Sequence, residues 1–145
     1  MGFPFHIKAQ QMGMRELIDF SKLGLEENIG AMITTRSFIA QRRATVLRYM
    51  RAYIRGMHRF KTDKEFAKRA YGKFALITDE TLIEANWQEY ATHMLRSPRP
   101  TLKGIQQVID SGTIGKIDVK PERLVDFSIV EELEKSGFID AAYKD

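Results

Sequence analysis

Residues Ser37 to Phe60 read SFIAQRRATVLRYMRAYIRGMHRF, a stretch with the strongest helical patterning in the chain. On a helical wheel Ile39, Val46, Met50, Tyr53 and Met57 fall on one apolar stripe, which predicts an amphipathic helix over the whole stretch. Arg48, Arg51, Arg55 and Arg59 fall together on the other side. From Arg36 to Lys61 there are eight basic residues and no acid, against a net charge of +4 for the full 145 residues. One helix therefore holds more than the whole excess of positive charge, and the remainder of the chain carries −4.

Toward the C-terminus helical signals continue. Thr62-Asp63-Lys64-Glu65 has capping-box spacing and predicts a second helix to about Phe74, burying Phe66, Ala70 and Phe74. Thr78 is expected to cap a third, with Asp79 and Glu80 at the positive end of its dipole. Leu82, Ile83, Trp87, Tyr90, Ala91 and Met94 are its candidate core residues, and Ser97-Pro98-Arg99-Pro100 stops it. Thr101 to Ser111 reads as a fourth helix, closed by Gly112. Residues Ile114 to Val119 are ambiguous. Pro121 suits a first helical position. Ser128, with Glu131 three residues on, caps a helix that Gly137 ends.

Toward the N-terminus the reading changes. Phe5 to Met12 is expected as a short helix ended by Gly13. Arg15 to Phe20 and Ile29 to Thr35 read as strands, the latter rich in Ile, Met and Thr, with a polar loop from Ser21 to Asn28 between them. Two strands alone do not make a stable sheet, so others must come from elsewhere or from a second copy.

Composition bounds the function. No cysteine is present, which excludes disulfides, Cys-ligated metal sites and thiol catalysis. No window approaches about 18 consecutive apolar residues, so no membrane-spanning helix is expected. The N-terminus lacks the basic and apolar runs of a signal peptide. His6, His58 and His93 have no ligand neighbours at metal spacing, and a Glu89–His93 pair is an ordinary i,i+4 surface contact. Glu26-Glu27, Asp79-Glu80 and Glu131-Glu132 are sequence neighbours, which on a helix point about 100° apart, and are not expected to form a carboxylate dyad. The serines lie near predicted boundaries outside any nucleophile elbow, and Gly112 to Gly115 is too short for a phosphate loop. Trp87 and Tyr90 read as core. No catalytic residue, cofactor or metal set is therefore expected. The arginine face can meet an acidic partner or simply be solvated; nucleic acid is the less favoured partner, because no helix-turn-helix, RRM, KH or zinc-finger pattern joins it.

The order of segments carries a resemblance. Gly13, the run Leu17-Ile18-Asp19-Phe20, the step Thr34-Thr35 and the helix from Val46 to Phe60 recur in that order. Downstream follow TDETLIEANWQEY from Thr78 and the pair Leu124-Val125-Asp126-Phe127-Ser128 and Leu133 to Phe138. Over roughly positions 9 to 140 the chain resembles the C-terminal half of an ABC-transporter periplasmic substrate-binding protein of the nitrate/sulfonate/taurine and thiamine-precursor type.

The resemblance implies a helix-rich α/β architecture: an incomplete type II periplasmic-binding fold with few strands and five to six helices. It implies one partial domain over 1–145, strand-bearing over 1–35 and helical over 36–145. It further implies non-catalytic binding of a small organic solute or anion, delivery to a permease, and an extracytoplasmic location. The missing half would supply the leader, most of one sheet and many ligand contacts. An exposed strand edge in such a fragment predicts strand-mediated or domain-swapped dimers. The alternative is a helical interaction module that applies the Arg48, Arg51, Arg55 and Arg59 face of the 37–60 helix to an acidic protein surface or nucleic acid.

Overall fold

The computed structural model describes residues 5–24, 31–112, 115 and 117–144. Every regular element among them is helical. The α-helices are α1 (Phe5–Gln11), α2 (Arg36–Gln41), α3 (Arg43–Thr62), α4 (Lys64–Ala75), α5 (Glu80–His93), α6 (Leu102–Asp110), α7 (Ser128–Lys135) and α8 (Phe138–Ala142). Short 3-10 turns occupy Phe20–Leu23 and Pro121–Arg123.

The α/β expectation is thus corrected. Residues 14–19 have no regular structure, and Leu17 and Ile18, on what would be opposite faces of a strand, are 82% and 64% exposed. A strand there would have neither a buried face nor a partner for its backbone groups. Of the second expected strand, Ile29 and Gly30 lie outside the described residues, as do 25–28 of the expected loop; residues 31–35 form no ladder. Thr35 does take an extended backbone (φ −87°, ψ 152°), because it is the N-cap of α2: its side chain accepts from the Phe38 amide. The Thr-rich step that reads as strand is a capping signal, since an N-cap needs the same backbone region.

The expected single helix over 37–60 is two. Arg42 (φ −128°, ψ 32°) ends α2, and α3 starts at the next residue. The break puts Ile39 on α2, apart from the rest of the expected stripe; on α3 Met57 is buried and Val46 and Met50 are half-buried, as the stripe predicts. The buried residues of α3 are Ile54 and Met57; Tyr53 is 41% exposed.

The described chain falls into two compact units. One comprises the described residues of 5–19 and 54–96, with α1, the end of α3, α4 and α5. Its core is Ile54, Met57, Ala67, Leu82 and Ile83, together with the polar Asn86. α4 and α5 approach closely at Gly72, where a Cβ would stand 3.1 Å from both the Ile77 carbonyl oxygen and Ile83 Cδ1. Phe74, expected in this core, is 82% exposed. Tight caps start both helices. Asp63 accepts from the Phe66 amide, and Asp79 accepts from the amides of Thr81 and Leu82.

The other unit comprises the described residues of 20–53 and 97–144, with α2, the start of α3, α6, α7 and α8. Ile129, Val130, Leu133 and Ile139 form its core. Thr101 caps α6 by accepting from the Gly104 amide. Before α7 the capping oxygen belongs to Asp126, which accepts from the Ser128 amide. Gly137, at φ 70°, makes the left-handed step from α7 to α8.

Candidate interaction surface on the basic helix

The eight basic residues of the 36–61 stretch have different fates. Three are tied into their own unit. Arg36 Nη2 donates to the carbonyls of Arg123 (2.8 Å) and Val125 (3.3 Å). Arg43 grips α7: Nη2 and Nε reach Glu132 Oε2 at 2.6 and 3.2 Å, and Nη1 reaches Ser128 Oγ at 3.1 Å. Lys61 Nζ donates to the Met94 carbonyl at 2.8 Å.

Arg48, Arg51, Arg55 and Arg59 are all exposed. At about 100° per residue they share about 80° of arc on α3, and at about 1.5 Å rise they form a ridge roughly 16 Å long. The ridge follows from the geometry of one unbroken helix, which runs from Arg43 to Thr62. Arg48 Nη2 lies 3.4 Å from Thr45 Oγ1. The Arg51 guanidinium lies 5.7 Å from the centre of the Phe138 ring. Arg59 stacks 3.6 Å over the Phe66 ring and pairs with Asp63 at 3.6 Å, yet its side chain remains 58% exposed. A stacked guanidinium keeps its N–H edge available, so this contact orients the donor fork. Tyr49 and Tyr53, exposed by 56% and 41%, stand on the adjoining side of the helix.

Several charged groups elsewhere meet one another. Lys64 and Lys68 bracket Glu84 at 2.6 and 3.1 Å, and Lys68 also reaches Glu80. The hydrogen bonds from Lys64 and Lys68 hold the Glu84 carboxyl below its usual range, and the Glu84 bond holds Lys68 above its own. The shallow depression beside them, lined by Lys68, Glu80, Thr81 and Glu84, is thus neutralised from within. On α7, Arg99 Nη2 meets Glu134 Oε2 at 2.7 Å and Ser97 Oγ donates to Glu134 Oε1 at 2.8 Å. These bonds, Arg99 first, lower the Glu134 pKa.

The adjacent acids Glu131 and Glu132 are pulled apart, one toward Arg99 and the other to Arg43. Asp79 is used as a cap. His93 Nδ1 lies 2.9 Å from the Glu89 carbonyl oxygen and 3.4 Å from its carboxylate. Ser128 Oγ accepts from Arg43, while Ser111 Oγ and Ser136 Oγ donate to carbonyls one turn back. Trp87 Nε1 donates to the Phe60 carbonyl, with Lys64 over its ring at 4.9 Å. Glu26, Glu27, Thr113 and Ile114 lie outside the described residues. Among the described residues no three His, Asp or Glu side chains converge as a metal site.

Sequence reasoning missed the Arg43–Glu132 and Arg99–Glu134 pairs, 89 and 35 residues apart, because no local pattern encodes a partner at that range. It also missed Asn86, 2% exposed.

No helix among the described residues is long and apolar enough to cross a membrane. No family model, curated protein or solved structure matches the chain. The resemblance to a periplasmic substrate-binding protein is therefore corrected on two grounds: nothing matches, and the described chain is helical where that family requires a sheet in each lobe. The reading as a solute-binding component of an ABC importer falls with it, and the permease and the strand-edge dimer lose their basis.

Proposed function

We propose that the chain is a helical interaction module, with no chemistry of its own, that docks the α3 arginine ridge on an acidic protein surface. The carrying observation is the ridge itself: four exposed arginines share one arc of α3, in a stretch of 26 residues, 36–61, without an acid. Arginine is enriched at interfaces because its planar fork pairs with carboxylates bidentately and it is less strongly hydrated than an ammonium. Clustered like charges also raise the encounter rate with an opposite surface.

Two features favour protein over nucleic acid. The net charge is only +4, with −4 outside the basic stretch, so the wider surface does not support a polyanion. The exposed Tyr49 and Tyr53 beside the ridge suit a protein interface, where Tyr and Arg supply much of the binding energy.

The test is fluorescence anisotropy with a labelled glutamate-rich peptide and, separately, a short DNA duplex, across a salt series. The wild type is expected to bind the peptide at low salt. Exchange of Arg48, Arg51, Arg55 and Arg59 to Gln is expected to weaken binding by about tenfold or more, leaving the melting temperature within a few degrees. Tighter binding to the duplex, with a log–log salt slope near about −3.6 for four phosphate contacts, would move the function to nucleic acid. A flat response at low salt to both probes would end the proposal.

A further inference from the structure

The inference rests on the reading just given and names the shape of the partner. Gly56 sits inside the 20-residue helix α3, is exposed, and has ordinary helical backbone. A Cβ built on it would meet nothing within 4 Å. Glycine inside a helix is disfavoured relative to alanine by about fivefold in the folding equilibrium. Neither backbone conformation nor internal crowding calls for glycine here, unlike Gly72, where a Cβ would crowd the Ile77 carbonyl oxygen and Ile83 Cδ1 at 3.1 Å. A missing side chain on an outward face leaves open space there for a close approach from outside.

The surroundings of Gly56 say what that is. Thr45, Ala52 and Gly56, all exposed, share about 40° of arc on α3. On one side runs the ridge of Arg48, Arg51, Arg55 and Arg59; on the other stand Tyr49 and Tyr53. The exposed side of α3 is thus a furrow with a small-residue floor, a cationic wall and an aromatic wall. A floor of this kind lets a second helix pack near the short end of the roughly 8–10 Å interaxial range. The cationic wall selects carboxylates spaced three and four residues apart on that helix.

We infer that the α3 furrow takes an acidic amphipathic helix of a partner protein, with the partner's backbone over Ala52 and Gly56 and its carboxylates on the arginine ridge.

The probe is a synthetic helical peptide of about 20 residues, built from Ala, Leu and Glu, with glutamates spaced 3, 4 and 4 apart along one edge. Its control has the same glutamates with two central prolines that break the helix. The wild type is expected to bind the helical peptide at least tenfold more tightly than the control. Gly56→Leu and Ala52→Leu should each weaken binding about tenfold while circular dichroism and melting temperature hold. Gly56→Ala should raise the melting temperature. If both leucine variants bind like wild type while the four-arginine variant does not, the furrow is overturned and the ridge reading stands. Equal binding of the proline control overturns the helical occupant. Tighter binding to vesicles of one-third phosphatidylserine, or to duplex DNA, overturns a protein occupant. Failure of the wild type to bind either peptide overturns both readings.

Discussion

Leu76 shows how a single backbone angle can be read as stability. It ends α4 in the left-handed region, at φ 55° and ψ 37°, and is 88% exposed. A branched side chain is strained there, and glycine is the residue that such a cap favours. Leu76→Gly is therefore expected to stabilise the protein by about 1 kcal/mol, read as a higher urea midpoint at unchanged slope. No sequence pattern marks this position, since leucine is a poor signal for a positive φ. Asn86 is the converse case: an amide at 2% exposure among Ile54, Met57, Leu82 and Ile83 of the same core. Asn86→Asp puts a charge where solvent cannot reach it and should cost about 3 kcal/mol at neutral pH, measured by thermal or urea unfolding.

Among the elements, most helices were legible, with edges to within a residue or two; α8, beyond the Gly137 stop, was not. Capping signals carried most of this. The expected Thr62 and Thr78 caps are each displaced by one, to Asp63 and Asp79. In both pairs the aspartate carboxylate caps the helix; Thr62 instead donates to the His58 carbonyl one turn back. The assignment has a direct check: Asp79→Ala should cost about 1 kcal/mol, while Thr78→Ala should stay within about 0.5 kcal/mol of wild type. The break at Arg42 was not legible, because apolar periodicity reads through a single non-helical residue. Within α3 the expected stripe holds at Met57 and fails at Tyr53, beside which Ile54 is buried instead. The strands of the N-terminal region failed for a related reason. Threonine suits a strand by its β-branching and a helix cap by its hydroxyl, and both use an extended backbone, so Thr34-Thr35 could not distinguish ladder from cap. A resemblance assembled from such segments inherits the same ambiguity. The arginine ridge was legible as a set of four positions, whereas its furrow needed the exposure of Tyr49, Tyr53 and Gly56.

At the scale of the whole molecule, the pairs that fasten α7 to the rest of its unit join residues 35 and 89 positions apart. These contacts depend on tertiary structure and left no trace in any sequence window. They set an acid limit on stability. The Arg99 and Ser97 bonds hold the folded pKa of Glu134 below its ordinary value of 4.5. A depressed carboxyl contributes its stabilisation fully above the unfolded pKa and loses it as pH falls through the folded one. Glu134→Gln should therefore lower stability at pH 7 by about 1 kcal/mol, allowing for solvent screening. The gap from wild type should close as pH falls through the depressed folded pKa of Glu134, as a pH series of urea midpoints would reveal.

The central claim is that α3 presents its exposed arginine side to an acidic partner helix. Hydrogen exchange read by mass spectrometry locates that contact most directly. With the acidic helical peptide at saturation, the account predicts added amide protection concentrated in fragments from Arg43 to Thr62, lost in the four-arginine variant. Protection centred on residues 97–144, or none at saturation, would contradict it.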